Sequence, residues 1–219
     1  MSNLSTDAIT ISEFNSVFGT KDGATAIIEA FEMKVSSEDE IREAAKLIPQ
    51  GTERYFEIPI EHDPHALVST IADAHASAKV RTGGTQPEAF PSSADLLRFI
   101  STCVKAGVPF KATAGLHHPL RSIQKLTYKN DSPSGMMFGF LNVFLAAVFL
   151  HAGMNDGEVL HVLEEQSPDA FRFDEDGVHW QAYRLSDEQL RHVRARVAVS
   201  FGSCSFLEPL NDLRSLNFL

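Results

Sequence analysis

The chain has few cysteines. Cys103 and Cys204 are the only two in 219 residues, and no CxxC pair occurs, which argues against a disulfide framework or a cysteine-rich structural zinc site. Basic residues are also scarce: 19 Lys and Arg against 29 Asp and Glu give a formal net charge of −10. A surface of that sign repels polyanions, so neither nucleic acid nor an anionic membrane is an expected partner. A small anionic molecule in a local basic pocket remains compatible with it. Long apolar runs are nearly absent. The one candidate, Met136 to Ala152, is interrupted by Gly139, Asn142 and His151 and is shorter than the roughly 20 residues a membrane span needs. It reads as a buried core helix. Residues 1–10 lack the basic-then-apolar order of a signal peptide, so a cytoplasmic location is expected. No HxH or HExxH pattern is present, and no metal or cofactor is expected.

What is present is a rhythm. Residues 1–25 show little pattern and read as an arm or cap; residues 26–219 read as a single α/β domain. Ile27 to Val35 reads as a strand. Ser37 and Glu40 form a capping box, and the helix after it carries Ile41, Ala44, Ala45 and Ile48 on one side. Tyr55 to Ile60 is the second strand, and Asp63-Pro64 opens the second helix. Ala78 to Thr82 is the third strand. Ser92 or Ser93 caps a helix with Leu96, Leu97, Ile100 and Cys103 inward, stopped by Gly107. Pro109 to Thr113 is the fourth strand. Residues 119–135 read as an irregular loop. The apolar helix, a short helix at Glu158 to Glu165, a hairpin across residues 170–185, a helix capped by Ser186 and a last strand at Val197 to Phe201 complete the chain.

Strand–helix–strand units of this kind imply parallel strands joined by right-handed crossovers. Five or six strands are fewer than an eight-stranded barrel needs. The expected fold is therefore an α/β array of parallel strand–helix repeats, either an incomplete TIM-barrel-like form or an open sheet. Its edge would be covered by the N-terminal arm, the hairpin or a second subunit, which makes a homodimer one candidate assembly. Ligand groups in such sheets gather at the carboxyl ends of the strands.

Side chains alternate across a strand. Glu32 and Lys34 share a face on the first strand, Glu57 and Pro59 on the second, Lys79 and Arg81 on the third, and Lys111 and Thr113 on the fourth. The opposite faces are apolar. Burying Glu57 among Lys79, Arg81 and Lys111 would set one carboxylate against three cations. That excess would attract an anion and lower the pKa of a lysine, freeing a nucleophilic amine. Ion pairs on an exposed sheet face are the bland alternative. Three strands end in small residues: Thr82-Gly83-Gly84, Thr113-Ala114-Gly115 and Gly202-Ser203-Cys204-Ser205. Serial N–H groups in such turns can cradle phosphate or carboxylate.

The run Lys79-Val-Arg-Thr-Gly-Gly84 resembles the strand that carries the Schiff-base lysine in deoxyribose-phosphate-aldolase-type class I aldolases. Phe110-Lys-Ala-Thr-Ala-Gly115 is similar to their following strand, and Phe201-Gly-Ser-Cys-Ser205 to their final phosphate-binding strand and turn. The resemblance implies Lys79 as the Schiff-base lysine, Lys111 as the lysine that perturbs it, and a lyase reaction on a small phosphorylated or carboxylated carbonyl compound. Phe110 to Arg121, together with the FGSCSF segment, also looks like an uncharacterised bacterial protein family, a resemblance that implies no activity.

His117 and His118 follow the fourth strand, where an imidazole can move protons near neutral pH. Arg121 lies just beyond them. Asn142 lies on the apolar helix and needs partners there or in the pocket. Cys204 needs a nearby base to act as a nucleophile, and the sequence shows none. Three readings stand together: an aldolase-type enzyme, a non-catalytic anion- or metabolite-binding protein on a degraded barrel, and a structural subunit completed by a partner.

Overall fold

The computed structural model describes residues 3–19 and 26–219. It opens with a helix, α1 (Leu4–Phe18), where the sequence suggested only an arm. Five parallel strands follow the expected rhythm: β1 (Ala30–Lys34), β2 (Glu53–Glu57), β3 (Ser77–Arg81), β4 (Phe110–Thr113) and, after a long excursion, β10 (Ala198–Phe201). Their spatial order is β1-β2-β3-β4-β10. Each new strand is added to the same edge, and right-handed crossovers then place the connecting helices on one face. The sheet is open. One face is buried under α2 (Glu38–Leu47), α3 (His65–Asp73), α4 (Ser93–Ala106), α5 (Phe140–His151), α6 (Asp156–Glu164) and α7 (Asp187–Arg196). Helix α2 packs on α3, α3 on α4, α4 on α5 and α6, and α5 on α7. No helix among the described residues is long and apolar enough to cross a membrane.

The alternation in the sequence explains this layering. Phe56, Ala78, Val80, Phe110 and Ala112 lie on the helix-covered face and are fully buried. The charged residues take the other face. The caps also fall close to their expected places: the hydroxyls of Ser37, Ser92 and Ser186 accept from the N–H groups of Glu40, Asp95 and Gln189. The Glu40 carboxylate reaches back one residue further than a capping box requires, accepting from the Ser36 N–H at 2.6 Å. Gly107 ends α4 in the left-handed region at φ 65°. Helix α1 packs on α2 and is tied to the chain just before β1. The Asn15 amide accepts from the Ile28 N–H at 2.7 Å and donates to the Ile28 carbonyl at 3.0 Å, as a neighbouring strand would.

Four regions depart from expectation. Residues 27–29 are not part of β1. The stretch 119–135 is not wholly irregular: β5 (Ser122–Lys125) and β6 (Ser134–Met137) form an antiparallel pair. The hairpin is a three-stranded meander, β7 (Phe171–Asp174), β8 (Gly177–Trp180) and β9 (Tyr183–Leu185). A further helix, α8 (Leu207–Ser215), follows β10 without a single buried side chain.

Candidate functional site

The charged face converges as the strand alternation requires, but its balance differs from the expectation. Glu57, Lys79 and Lys111 stand in one row across β2, β3 and β4. Lys79 Nζ lies 2.8 Å from Glu32 Oε2 and 3.1 Å from Glu57 Oε2, and Lys111 also pairs with Glu32. Lys111 Nζ sits 5.6 Å from the centre of the Tyr55 ring. Two carboxylates therefore face two lysines, in place of one carboxylate among three cations. Burial pulls the Lys79 ammonium toward deprotonation, but Glu32 and Glu57 outweigh it and hold the pKa above its ordinary value. Glu32 is likewise held below its ordinary value: burial opposes this and the two lysines prevail. The amine is kept as a cation, the reverse of what an activated nucleophilic lysine needs.

Arg81 is the charge that this network leaves out. It lies one turn of the pleat beyond Lys79, is exposed, and makes no ion pair or hydrogen bond with the described residues. It borders a cleft at the carboxyl ends of the strands, where two adjoining cavities of about 320 and 580 Å³ share His117, Leu126, Thr127, Tyr128, Met137 and Cys204.

Each wall of this cleft has a local cause. After β4 the chain reverses through two left-handed residues, Ala114 at φ 63° and Gly115 at φ 77°. That conformation costs a non-glycine residue about 1 kcal/mol, and it turns His117 and His118 back over the strand ends. After β10, Gly202 packs beside Thr113 and delivers Ser203 and Cys204 opposite His117. The β5–β6 pair overhangs from the other side and supplies Tyr128. The first turn of α8 supplies Glu208.

These groups form a linked set. His117 Nδ1 lies 3.2 Å from Ser203 Oγ, 3.5 Å from Cys204 Sγ and 3.8 Å from Glu208 Oε2, and its Nε2 lies 3.9 Å from Cys204 Sγ. The Ser203 hydroxyl donates to the Ser205 carbonyl at 2.9 Å. Its bond with His117 therefore calls for a proton on Nδ1, which also suits the Glu208 carboxylate. Nε2 is then the free basic nitrogen beside the thiol. Burial lowers the His117 pKa; His118 lowers it further and Glu208 opposes both. The imidazole is thus neutral near pH 7 and able to accept a proton. The Tyr128 hydroxyl donates to Glu208 Oε2 at 3.1 Å and lies 3.3 Å from Cys204 Sγ. Its bond with Cys204, some burial and Glu208 push its pKa up. His118 is tied to α8 through Asp212 at 2.6 Å.

The remaining expected residues divide by role. Ser203, Cys204, Gly84, Gly115 and Gly202 line the cleft with Arg81. Thr82 is fully buried, and its hydroxyl donates to the Ala114 carbonyl at 2.5 Å, pinning β3 to β4. Thr113 Oγ1 is 3.4 Å from the Val80 carbonyl, and the Ser205 hydroxyl accepts from the Glu208 N–H at 3.1 Å. The glycines of the first two turns are needed for packing. A Cβ on Gly83 would come within 2.4 Å of the Phe90 ring, one on Gly84 within 2.8 Å of Ala89, and one on Gly115 within 3.1 Å of Phe90. Asn142 serves the core and not the cleft: it accepts from the Arg121 N–H and donates to the Val162 and Glu165 carbonyls. The Arg121 guanidinium donates to Ser93 Oγ and lies over the Phe138 ring.

Sequence reasoning did not single out Tyr128, Glu208 or Asp212, and it left Glu32 outside the lysine cluster. Among the described residues, no three His, Cys, Asp or Glu side chains are gathered to hold a metal ion. Compared with known proteins, the chain matches no family model, no curated sequence and no solved structure.

Proposed function

We propose that the chain is a thiol-dependent enzyme acting on a small anionic substrate in the strand-end cleft. The observation that carries this reading is the placement of Cys204 Sγ within 3.5–3.9 Å of both ring nitrogens of a neutral histidine that also faces Glu208. A nucleophile beside a base, with the base oriented by a third group, is the arrangement covalent catalysis requires. His117 Nε2 would take the thiol proton, and the thiolate would add to an acyl carbon. The imidazolium would return the proton to the departing group, leaving an acyl thioester that water cleaves. Arg81, with no carboxylate partner among the described residues, would hold the substrate's anionic group.

The test is turnover of a panel of carboxylate-bearing esters and thioesters, with mass spectrometry of acid-quenched protein. An acyl adduct on Cys204 that is absent from Cys204→Ser supports the reading. Turnover that survives Cys204→Ser contradicts it.

A second reading, a non-catalytic anion- or metabolite-binding protein, is favoured by the unpaired Arg81 alone. Saturable binding of the same compounds without adduct or turnover would select it. The lysine-centred aldolase reaction would need Lys79 to leave both Glu32 and Glu57 before its amine could attack a carbonyl.

A further inference from the structure

We propose that another cavity, which shares no lining residue with the cleft, binds a single-chain aliphatic carboxylate. It has a volume of about 730 Å³ and lies along β10, among α5, α7, the meander and α8. That volume is in the ~300–1,000 Å³ range of small-molecule sites. β10 is the last strand in the sheet, so the cavity follows an open edge.

The walls are apolar: Phe140, Leu145 and Val148 are buried, while Phe144, Leu190, Phe201 and Leu213 keep partial exposure. Phe140 stacks on Phe201 at 4.9 Å and Phe144 meets Phe201 edge-on at 5.8 Å, with Val148 and Leu145 behind them. Phe173 is 39% exposed although it packs on Phe218. Large apolar side chains left facing a hollow forfeit burial that an aliphatic ligand would supply.

The charge at the rim selects the head group. The cavity is lined by Asp187, Arg191, Arg194 and Ser200 as well as by its apolar walls. Arg191 and Asp187 neutralise one another through two contacts, at 2.7 and 2.8 Å. Arg194 has no ion pair or hydrogen bond with the described residues, which leaves one net positive charge at an apolar cavity. An amphiphile with one carboxylate and one hydrocarbon chain complements both features. This proposal is independent of the thiol chemistry.

The experiment is calorimetric titration of the whole chain with hexanoate, octanoate and decanoate and with the matching alcohols, in the wild type and in Arg194→Ala, with sedimentation velocity on the same samples. The expected result is saturable binding that tightens about fourfold per added methylene. Acids should bind at least about tenfold tighter than alcohols, and Arg194→Ala should erase that preference. The acid–alcohol comparison in the wild type decides the head group even if the variant folds poorly. No saturable binding across the series overturns the proposal, as does equal affinity for acid and alcohol. Affinity that falls as a dimer forms would also overturn it, because a second copy would then be the occupant.

Discussion

The open face of the sheet and the cleft at the carboxyl ends of its strands both draw on β3 and β4, yet they end in opposite electrostatic states. Across the middle of the face, Lys79 and Lys111 are matched by Glu32 and Glu57, and Lys79 is held as a cation. At and beyond the ends of β3, β4 and β10, Arg81 makes no ion pair or hydrogen bond with the described residues, Cys204 is exposed, and His117 is kept neutral by burial. Charge density alone is therefore a poor marker of a site, since satisfied charges hold structure. Unsatisfied polar groups beside a cavity are the better marker.

The contrast is sharpest when each region is disabled in turn. Cys204→Ser should reduce turnover by at least about 10³-fold and change stability by no more than about 0.5 kcal/mol, because the side chain is exposed; a substrate assay and urea melts check both halves. His117→Gln should lower turnover by about 10²-fold or more. Lys79→Met should do the reverse. It strands Glu57 and leaves Glu32 with Lys111 alone, costing about 2 kcal/mol in chemical denaturation, less than a fully buried pair because these groups keep some solvent. Alkylation of Cys204 in that variant should stay within about twofold of the wild type. Borohydride reduction in the presence of phosphorylated aldehydes should leave Lys79 unmodified, and a trapped adduct there would restore the lysine-centred reading.

The pH dependence separates the regions as well. Glu32 is held below its ordinary 4.5, so its contribution is complete above that value and is lost as the pH falls through it. Lys79 is held above 10.5, so its contribution is complete below that value and is lost as the pH rises beyond it. Lys79→Met should flatten the stability profile at both ends. The smallest effect belongs to His117. Its pKa is lowered from 6.5 by folding, so the unfolded chain takes up a proton first and stability declines as the pH drops below that point. His117→Gln should remove that slope.

Most of the fold was legible because local patterns and tertiary packing agree. The alternation along 31–34, 55–57, 78–81 and 110–113 places the buried and charged faces correctly, and serine caps mark the helix starts. The β5–β6 pair was not legible, since SIQK and SGMM are short and lack a clear alternation. Helix α8 left a usable signal in Leu207, Leu210 and Leu213, spaced on one face, with Pro209 tolerated in the first turn. The site was half legible. Strand ends pointed to His117, Arg81 and Cys204 separately, but the bond between His117 and Cys204 spans 87 positions of sequence, and no periodicity encodes such a pairing. Glu32 shared the expected face, yet its reach across to β3 and β4 depends on side-chain length and sheet curvature that strand alternation does not contain.

The most direct test of the central claim is the alkylation rate of Cys204 from pH 5 to 9, measured with iodoacetamide and with iodoacetate. Cys103 is fully buried and its thiol pKa is pushed up, so it serves as an unreactive control. The account predicts that near pH 7 Cys204 reacts at least about tenfold faster than an ordinary thiol of pKa ~8.5. It also predicts that His117→Gln abolishes the enhancement and that Arg81→Ala removes a preference for the anionic reagent. Rates that match an ordinary thiol across the pH range, and that are the same in wild type and His117→Gln, would contradict it.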